Sequence, residues 1–293
     1  MRRETFKNLL AAVGAVFLVL MVLSLIIAYL SGKGPIGGKN KVAVVKLAGI
    51  ITDPTDFTDE LREYGERDDV KAVVVRIDSP GGAVGPSQEI YSAIKRLRKT
   101  KKVVASMGAM AASGGFYAAT AADKIVANPG TITGSIGVIV EFVNAEELLS
   151  KIGLQGYVVK SGKFKDTGSP LRKMTPEEKE LLQDVINDVN GQFVKAVAEG
   201  RGLKEEDVRK IADGRIFSGA QAREKGLVDR LGDLSDAIDL SAELAGIEGK
   251  PYVIYPEKKA LGIWRAVFGE SIGNLAGAFS GFRVMYMTQN PAR

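Results

Sequence analysis

The chain has 293 residues, 45 % hydrophobic and 26 % charged, enough for a sizeable buried core in one or two domains. It contains no histidine and no cysteine, which excludes disulfides, thiolate chemistry, transition-metal sites built on sulfur or imidazole, and every nucleophilic triad that uses histidine. The net charge of +5 is spread over 40 basic and 35 acidic residues without a long basic block or interleaved aromatics, so no nucleic-acid partner is expected.

Residues 1–8 form a short tail carrying Arg2, Arg3 and Lys7. Residues 9–30, LLAAVGAVFLVLMVLSLIIAYL, hold no charge; at about 1.5 Å per residue they can cross a hydrocarbon core of about 30 Å. A signal peptide has an apolar core of roughly 7 to 15 residues and then small residues at a cut site. This stretch is longer and ends in Tyr29 and Leu30, which predicts an uncleaved transmembrane anchor in contact with lipid. Lys33, Lys39 and Lys41 balance the basic residues ahead of it, so charge bias alone does not set orientation. A short tail followed by a large domain predicts a single-pass protein of the cell (inner) membrane with the domain extracytoplasmic. Residues 31–40, SGKGPIGGKN, read as a flexible linker.

The main domain is expected over 41–254. Short β-branched runs at 41–47, 71–77, 101–107, 124–127, 135–140 and 156–160 alternate with helical patterns at 57–66, 84–98, 112–122 and 144–152. This predicts an α/β fold with buried, largely parallel strands. Beyond 170 the pattern is mostly helical. Thr175-Pro176-Glu177-Glu178 is a capping box with proline at the first helical position, opening a helix to about residue 200. Ser218-Gly219-Ala220-Gln221 is a second such box, with Gly226 as the stop. Residues 255–293, with Trp264, Phe268, Phe279 and Phe282, read as a separable tail that lies on a membrane or partner or is poorly ordered.

Two glycine-rich stretches join a strand to a helix. Asp78-Ser79-Pro80-Gly81-Gly82 is either an ordinary turn or one whose bare backbone lets N–H groups converge on an oxyanion. In SMGAMAASGGFYAATAAD, Ser106 to Asp123, small neighbours surround Ser113 just ahead of a helix that would aim N–H groups at a reacting centre. The same stretch could be a packed helix with a buried serine. A serine hydroxyl needs a base, and without histidine the candidates are lysine, aspartate and glutamate. Lysine serves only when neutral, which requires burial or nearby positive charge. Lys160, Lys163 and Lys165 follow the run GYVVK, and the chemistry does not choose among them.

Taken together, SPGG, SMGAMAASGGFYAATAADKI, TGSIGVI, KSGKFKDTGSP and IADGRIFSGAQAREKGLVD resemble the signal peptide peptidase SppA (protease IV) family over roughly residues 41 to 240, in its short form with one catalytic domain. The resemblance implies a Clp protease/crotonase-like fold of repeated ββα units behind the N-terminal transmembrane helix. It implies a Ser/Lys dyad of Ser113 and Lys165, with Ser135 holding the lysine amine and the backbones of Gly82 and Gly114 forming the oxyanion hole, and with no metal or cofactor. Its substrates would be cleaved signal peptides and other extended hydrophobic peptides. It further implies a homo-oligomer in which neighbouring subunits share active sites. Alternative readings are a crotonase-like acyl-CoA enzyme, which needs neither the anchor nor the serine–lysine set, and a noncatalytic scaffold of the same fold.

Overall fold

The computed structural model describes residues 13–24, 26, 40–256 and 285–287. Residues 13–24 are helical (α1) and expose their apolar side chains, from Val13 to Leu23. No helix among the described residues is long and apolar enough to cross a membrane. The rest of the predicted anchor (9–12, 25 and 27–30), the tail before it and linker residues 31–39 lie outside the described residues, as does most of the tail after 256.

From Lys41 strands and helices alternate: β1 (Lys41–Ala48), α2 (Thr55–Glu66), β2 (Val70–Ser79), β3 (Gly81–Ala83), α3 (Val84–Leu97), β4 (Lys102–Ala112), α4 (Gly114–Ala119), β5 (Lys124–Ala127) and β6 (Ile132–Gly134). Strands β1, β2 and β4 pair in parallel. Parallel strands are buried on both faces and so read as continuous apolar runs; Val42–Val45, Ala72–Val75 and Val103–Ala105 are such runs, all buried. Helices α2 and α3 cover one face because their apolar residues fall on one stripe, Phe57, Leu61 and Tyr64 in α2 and Ile90, Ile94 and Leu97 in α3.

The second half of the chain adds α5 (Glu146–Lys151), α6 (Pro176–Arg201), α7 (Glu205–Arg209), β7 (Ile216–Ser218), α8 (Gly219–Glu224), β8 (Arg230–Leu231), α9 (Leu234–Leu244), β9 (Tyr252–Ile254) and β10 (Met285–Met287). Both predicted capping boxes form, Thr175 with Glu178 and Ser218 with Gln221. Gly202 ends α6 in the left-handed conformation that a side chain disfavours. Helix α9 covers the opposite sheet face, packing Ala237 and Ala242 against Val42, Val44, Ala72 and Val74. The main sheet runs β7-β6-β4-β2-β1-β9, with β5 and β8 branching from β4. Strand β10 returns to lie antiparallel on β3.

Two predicted strands are absent. Residues 135–140 and 156–160 form no strand, and the chain instead pairs the shorter β6 just before the first of them. Their β-branched composition suits a pleated surface, yet among the described residues they enter no strand ladder, with a lone bridge residue at Ile139 and with Val158 and Val159 exposed. The helix expected over 112–122 is cut to six residues because β4 runs on to Ala112.

Asp229 ties β5 to α6: it accepts from the Ile125 N–H at 2.8 Å and pairs with Arg201 at 2.8 Å and Lys124 at 3.3 Å. Burial pushes its carboxyl up, but Arg201, the Ile125 amide and Lys124 outweigh burial and hold it below the ordinary carboxylate value. Such a contribution to stability is fully present above the unfolded value of about 3.9 and is lost as pH falls through the lower folded value. Asp229→Asn is therefore expected to lower the thermal midpoint by a few degrees at neutral pH. The gap to wild type should close on acidification below about pH 4, as a thermal melt series across pH will read.

Candidate active site

Strand β4 delivers Ser113. Beside β2 it carries an irregularity, since Ile77 pairs with Met107 but Ser79 pairs with Ala111. The unmatched groups are absorbed locally: Asp78 Oδ1 accepts from the Met110 N–H at 3.2 Å, and the Gly108 carbonyl accepts from Thr131 Oγ1 at 2.7 Å. Bulges of this kind bend a strand and re-aim its end. Ser113 then adopts φ 53°, ψ −117°, a conformation disfavoured for any residue with a side chain and costing about 1–3 kcal/mol. Surrounding bonds impose it: the Ser113 N–H donates to the Gly134 carbonyl and the Ser113 carbonyl accepts from the Tyr117 N–H, both at 2.8 Å. Behind it Phe116 is fully buried, and Tyr117 packs between Tyr91 and Phe193 with ring centroids 4.9 and 5.0 Å away. Ser113 is only 1 % exposed, and its Oγ has no hydrogen-bond partner among the described residues. Buried hydroxyls are normally paired.

Ser135 comes to the same place from the next strand. Ala112 and Gly134 are paired in register, so Ser113 and Ser135 leave adjacent strand ends, spaced by about 5 Å in any sheet. Ser135 is buried and, like Ser113, has positive φ, 50°; its N–H donates to the Arg215 carbonyl at 2.8 Å. These two are the non-glycine residues with positive φ among the described residues.

The SPGG turn folds against Ser113. Ser79 Oγ donates to the Gly49 carbonyl at 2.6 Å and accepts from the Gly81 N–H at 3.1 Å, while Ile51 bonds to β3 on both sides of Gly82. A Cβ on Gly82 would sit 2.1 Å from the Ile51 carbonyl oxygen, so only glycine fits. A Cβ on Gly114 would lie 2.5 Å from Ser87 Oγ and 3.3 Å from the Gly82 nitrogen, which puts the two predicted oxyanion backbones in direct contact. Because α4 is only six residues long, local N–H groups rather than a long helix dipole make this corner electropositive.

The lysines lie elsewhere. Lys160 pairs with Asp166 at 2.5 Å and Lys163 with Glu177 at 2.5 Å. Lys165 is exposed and has no carboxylate partner among the described residues. Ser113 Oγ has no hydrogen-bond partner among the described residues, so Ser113, Ser135, Gly82 and Gly114 come together without a hydrogen bond from Lys165 to Ser113.

Beside Ser135 opens a cavity of about 920 Å³, lined by Met110, Ile132, Val138, Ile186 and Ile216 among others. Asn190 on α6 lines it too, with a buried Oδ1 that lacks a partner among the described residues. Helix α6 had been assigned only a structural part by its capping box, and an asparagine within a helical pattern carries no signal by which sequence reasoning could have found it. Along β3, residues 285–287 pair with Ala83, Gly82 and Gly81, so this edge accepts an extended strand.

Peptidase family S49 matches residues 95–248, and the Clp protease family matches residues 52–131. A Synechocystis protein described as a candidate protease is 49 % identical over 212 residues, 72 % of this chain and 76 % of that protein. A candidate signal peptide peptidase SppA of Enterococcus faecium is 37 % identical over 219 residues, 69 % of this chain and 63 % of that protein. Protease 4 of Salmonella typhi is 36 % identical over 226 residues, 74 % of this chain but only 36 % of that longer protein.

Proposed function

The chain belongs to peptidase family S49, as a single-domain protein of the SppA type, and from that premise we propose a membrane-anchored serine endopeptidase whose site is completed by a second copy of the chain. The observation that carries this reading is the state of Ser113: buried, held at a strained φ, beside two glycine backbones, and with no hydrogen-bond partner for its Oγ among the described residues. Lys165, exposed and unpaired, is the missing half supplied by a neighbour.

In this mechanism Ser113 Oγ attacks the peptide carbonyl carbon while neutral Lys165 Nζ takes the hydroxyl proton. The Gly82 and Gly114 N–H groups donate to the oxyanion, typically worth about 2.7 to 4 kcal/mol for one such donor. Collapse breaks the C–N bond, with the Lys165 ammonium protonating the leaving amine. Water, deprotonated by the same amine, then hydrolyses the acyl-Ser113 ester. Ser135, next to Ser113, accepts from Lys165 Nζ and holds it toward the nucleophile. Lys160 and Lys163 are each engaged by a carboxylate, Asp166 and Glu177, whereas Lys165 has no carboxylate partner among the described residues.

Burial of the lysine would come from assembly. The segment around Lys165 exposes Val143, Leu148, Ile152, Leu154, Tyr157 and Val159, an apolar surface suited to cover by another copy. Extended, hydrophobic peptides such as cleaved signal peptides suit the apolar cavity, and would pair with the β3 edge in place of residues 285–287. Residues 9–30 would anchor the enzyme in the cell (inner) membrane, where those peptides remain, with the catalytic domain extracytoplasmic.

Mixing tests the shared site. Ser113→Ala and Lys165→Ala chains are each expected to be inactive alone. Co-assembled one to one, they should regain about a quarter of wild-type activity, because one junction in four pairs an intact serine with an intact neighbouring lysine. A mixture that stays inactive while native-size oligomers form would overturn sharing between copies.

A further inference from the structure

The loop carrying Lys165 is bound up by charge on every side except at Lys165. Arg172 grips Asp166 through two parallel bonds, Nε to Oδ2 at 2.9 Å and Nη2 to Oδ1 at 2.7 Å. It also reaches Glu178, Nη1 to Oε2 at 2.9 Å with a second short contact from Nη2 to Oε1. Glu178 is 2 % exposed and is the capping-box residue of α6, accepting from the Thr175 N–H at 2.8 Å. Lys160 takes the remaining approach to Asp166. Turns bracket the lysine itself, from Lys165 N–H to the Gly162 carbonyl at 3.2 Å and from Thr167 N–H to the Phe164 carbonyl at 3.1 Å.

Asp166 adjoins Lys165 in the chain, and a free carboxylate there would pair with the amine and favour its charged form. We propose that Arg172 is a positioning residue for catalysis: by clamping Asp166 to the start of α6 it keeps that carboxylate away from Lys165, so that the amine can be presented unpaired and proton-free to Ser113. This inference rests on the reading of Lys165 as the base. Arg172 holds the Asp166 carboxyl well below the usual carboxylate range, with Lys160 adding to it, and holds Glu178 at about 2. Four other carboxylates on the packed elements are already engaged. Glu177 pairs with Lys163, Glu147 pairs with Lys173 at 3.6 Å, Glu146 accepts from the Lys173 N–H at 2.9 Å, and Glu141 has a partner. Without Arg172, Asp166 keeps only its contact with Lys160 among the described side chains, and it is the carboxylate next to the amine in the chain.

The test is the pH dependence of kcat/KM on a hydrophobic peptide, with the full chain in membranes or detergent. Arg172→Gln is expected to move the acid limb up by about one pH unit, about a tenfold loss on the acid side, with activity recovered at higher pH. Arg172→Gln combined with Asp166→Asn should return the limb to the wild-type position, and Arg172→Lys should move it less than Arg172→Gln. An equal loss at every pH, or a limb that stays displaced in the double variant, would reduce Arg172 to a structural role and overturn the proposal. If Arg172→Gln does not fold, Asp166→Asn alone decides: the limb stays or falls, and a rise overturns the inference. Lys165→Ala runs alongside, and full activity there sinks the base assignment itself, a result distinct from failure of the clamp.

Discussion

Ser113→Ala is expected to lower kcat for peptide hydrolysis by about 10,000-fold or more while the protein keeps its fold, and Lys165→Ala to do the same. The stability part follows from the structure. Ser113 Oγ makes no hydrogen bond among the described residues, so its removal breaks none there, and the backbone strain at φ 53° is the same for alanine. Lys165 is exposed and unpaired, so truncation leaves no buried charge behind. The activity part follows from the chemistry, since a hydroxyl without a base and a base without a hydroxyl are equally inert. The neighbouring lysines are the controls. Lys163→Ala loses one exposed ion pair, worth about 1 kcal/mol or less, and keeps activity. Lys160→Ala leaves Asp166 on Arg172 and costs at most a modest fraction of the rate. Peptide cleavage and thermal melts of the four variants read this directly; full activity in Ser113→Ala or Lys165→Ala would falsify the mechanism. The acid limb for wild type should lie well below about 10.4, the ordinary lysine value, because at that value about one amine in a thousand is neutral near pH 7.4.

What could be read beforehand divides along a physical line. Runs such as KVAVVKL and KAVVVRI are apolar because both of their faces are covered within the chain, and they became β1 and β2. SIGVIV and GYVVK have the same composition, yet among the described residues they form no strand: Ile136 packs into the core while Val158 and Val159 are exposed. A β-branched run reports that a surface suits burial, not which element will cover it. The SPGG turn and Ser113 were legible because close backbone approach demands small residues, and the structure displays that demand as the 3.3 Å approach at Gly114. The clamp was not legible. KFKD reads locally as a source of candidate base lysines and TPEE as a helix start, and only the fold brings Asp166, Arg172 and Glu178 into one cluster. The strand pairing of residues 285–287 with β3 was equally out of reach, since a three-residue strand leaves no periodicity to read.

Close packing at Gly114 has its own expected result. Gly114→Ala should lower kcat by about 100- to 1,000-fold with little change in KM, the loss typical of one disabled oxyanion donor. The new methyl would meet Ser87 Oγ at 2.5 Å and stand 3.3 Å from the Gly82 nitrogen, so it must push apart the two backbones whose N–H groups have to converge. Ser87 Oγ is not free to swing away at no cost: it is buried and donates to the Ala83 carbonyl at 2.8 Å, one residue beyond Gly82. Ser87→Ala alone removes that bond from the wall of the site and should leave most of the rate. Combined with Gly114→Ala it removes the shortest contact and leaves approaches of 3.3 Å, which neighbours can absorb by shifts of a few tenths of an ångström. The double variant should therefore recover at least tenfold over Gly114→Ala, a coupling that sites out of contact do not show. Strict additivity of the two substitutions in kcat would mean that the rate loss does not arise at this contact, and would remove Gly114 from the oxyanion hole.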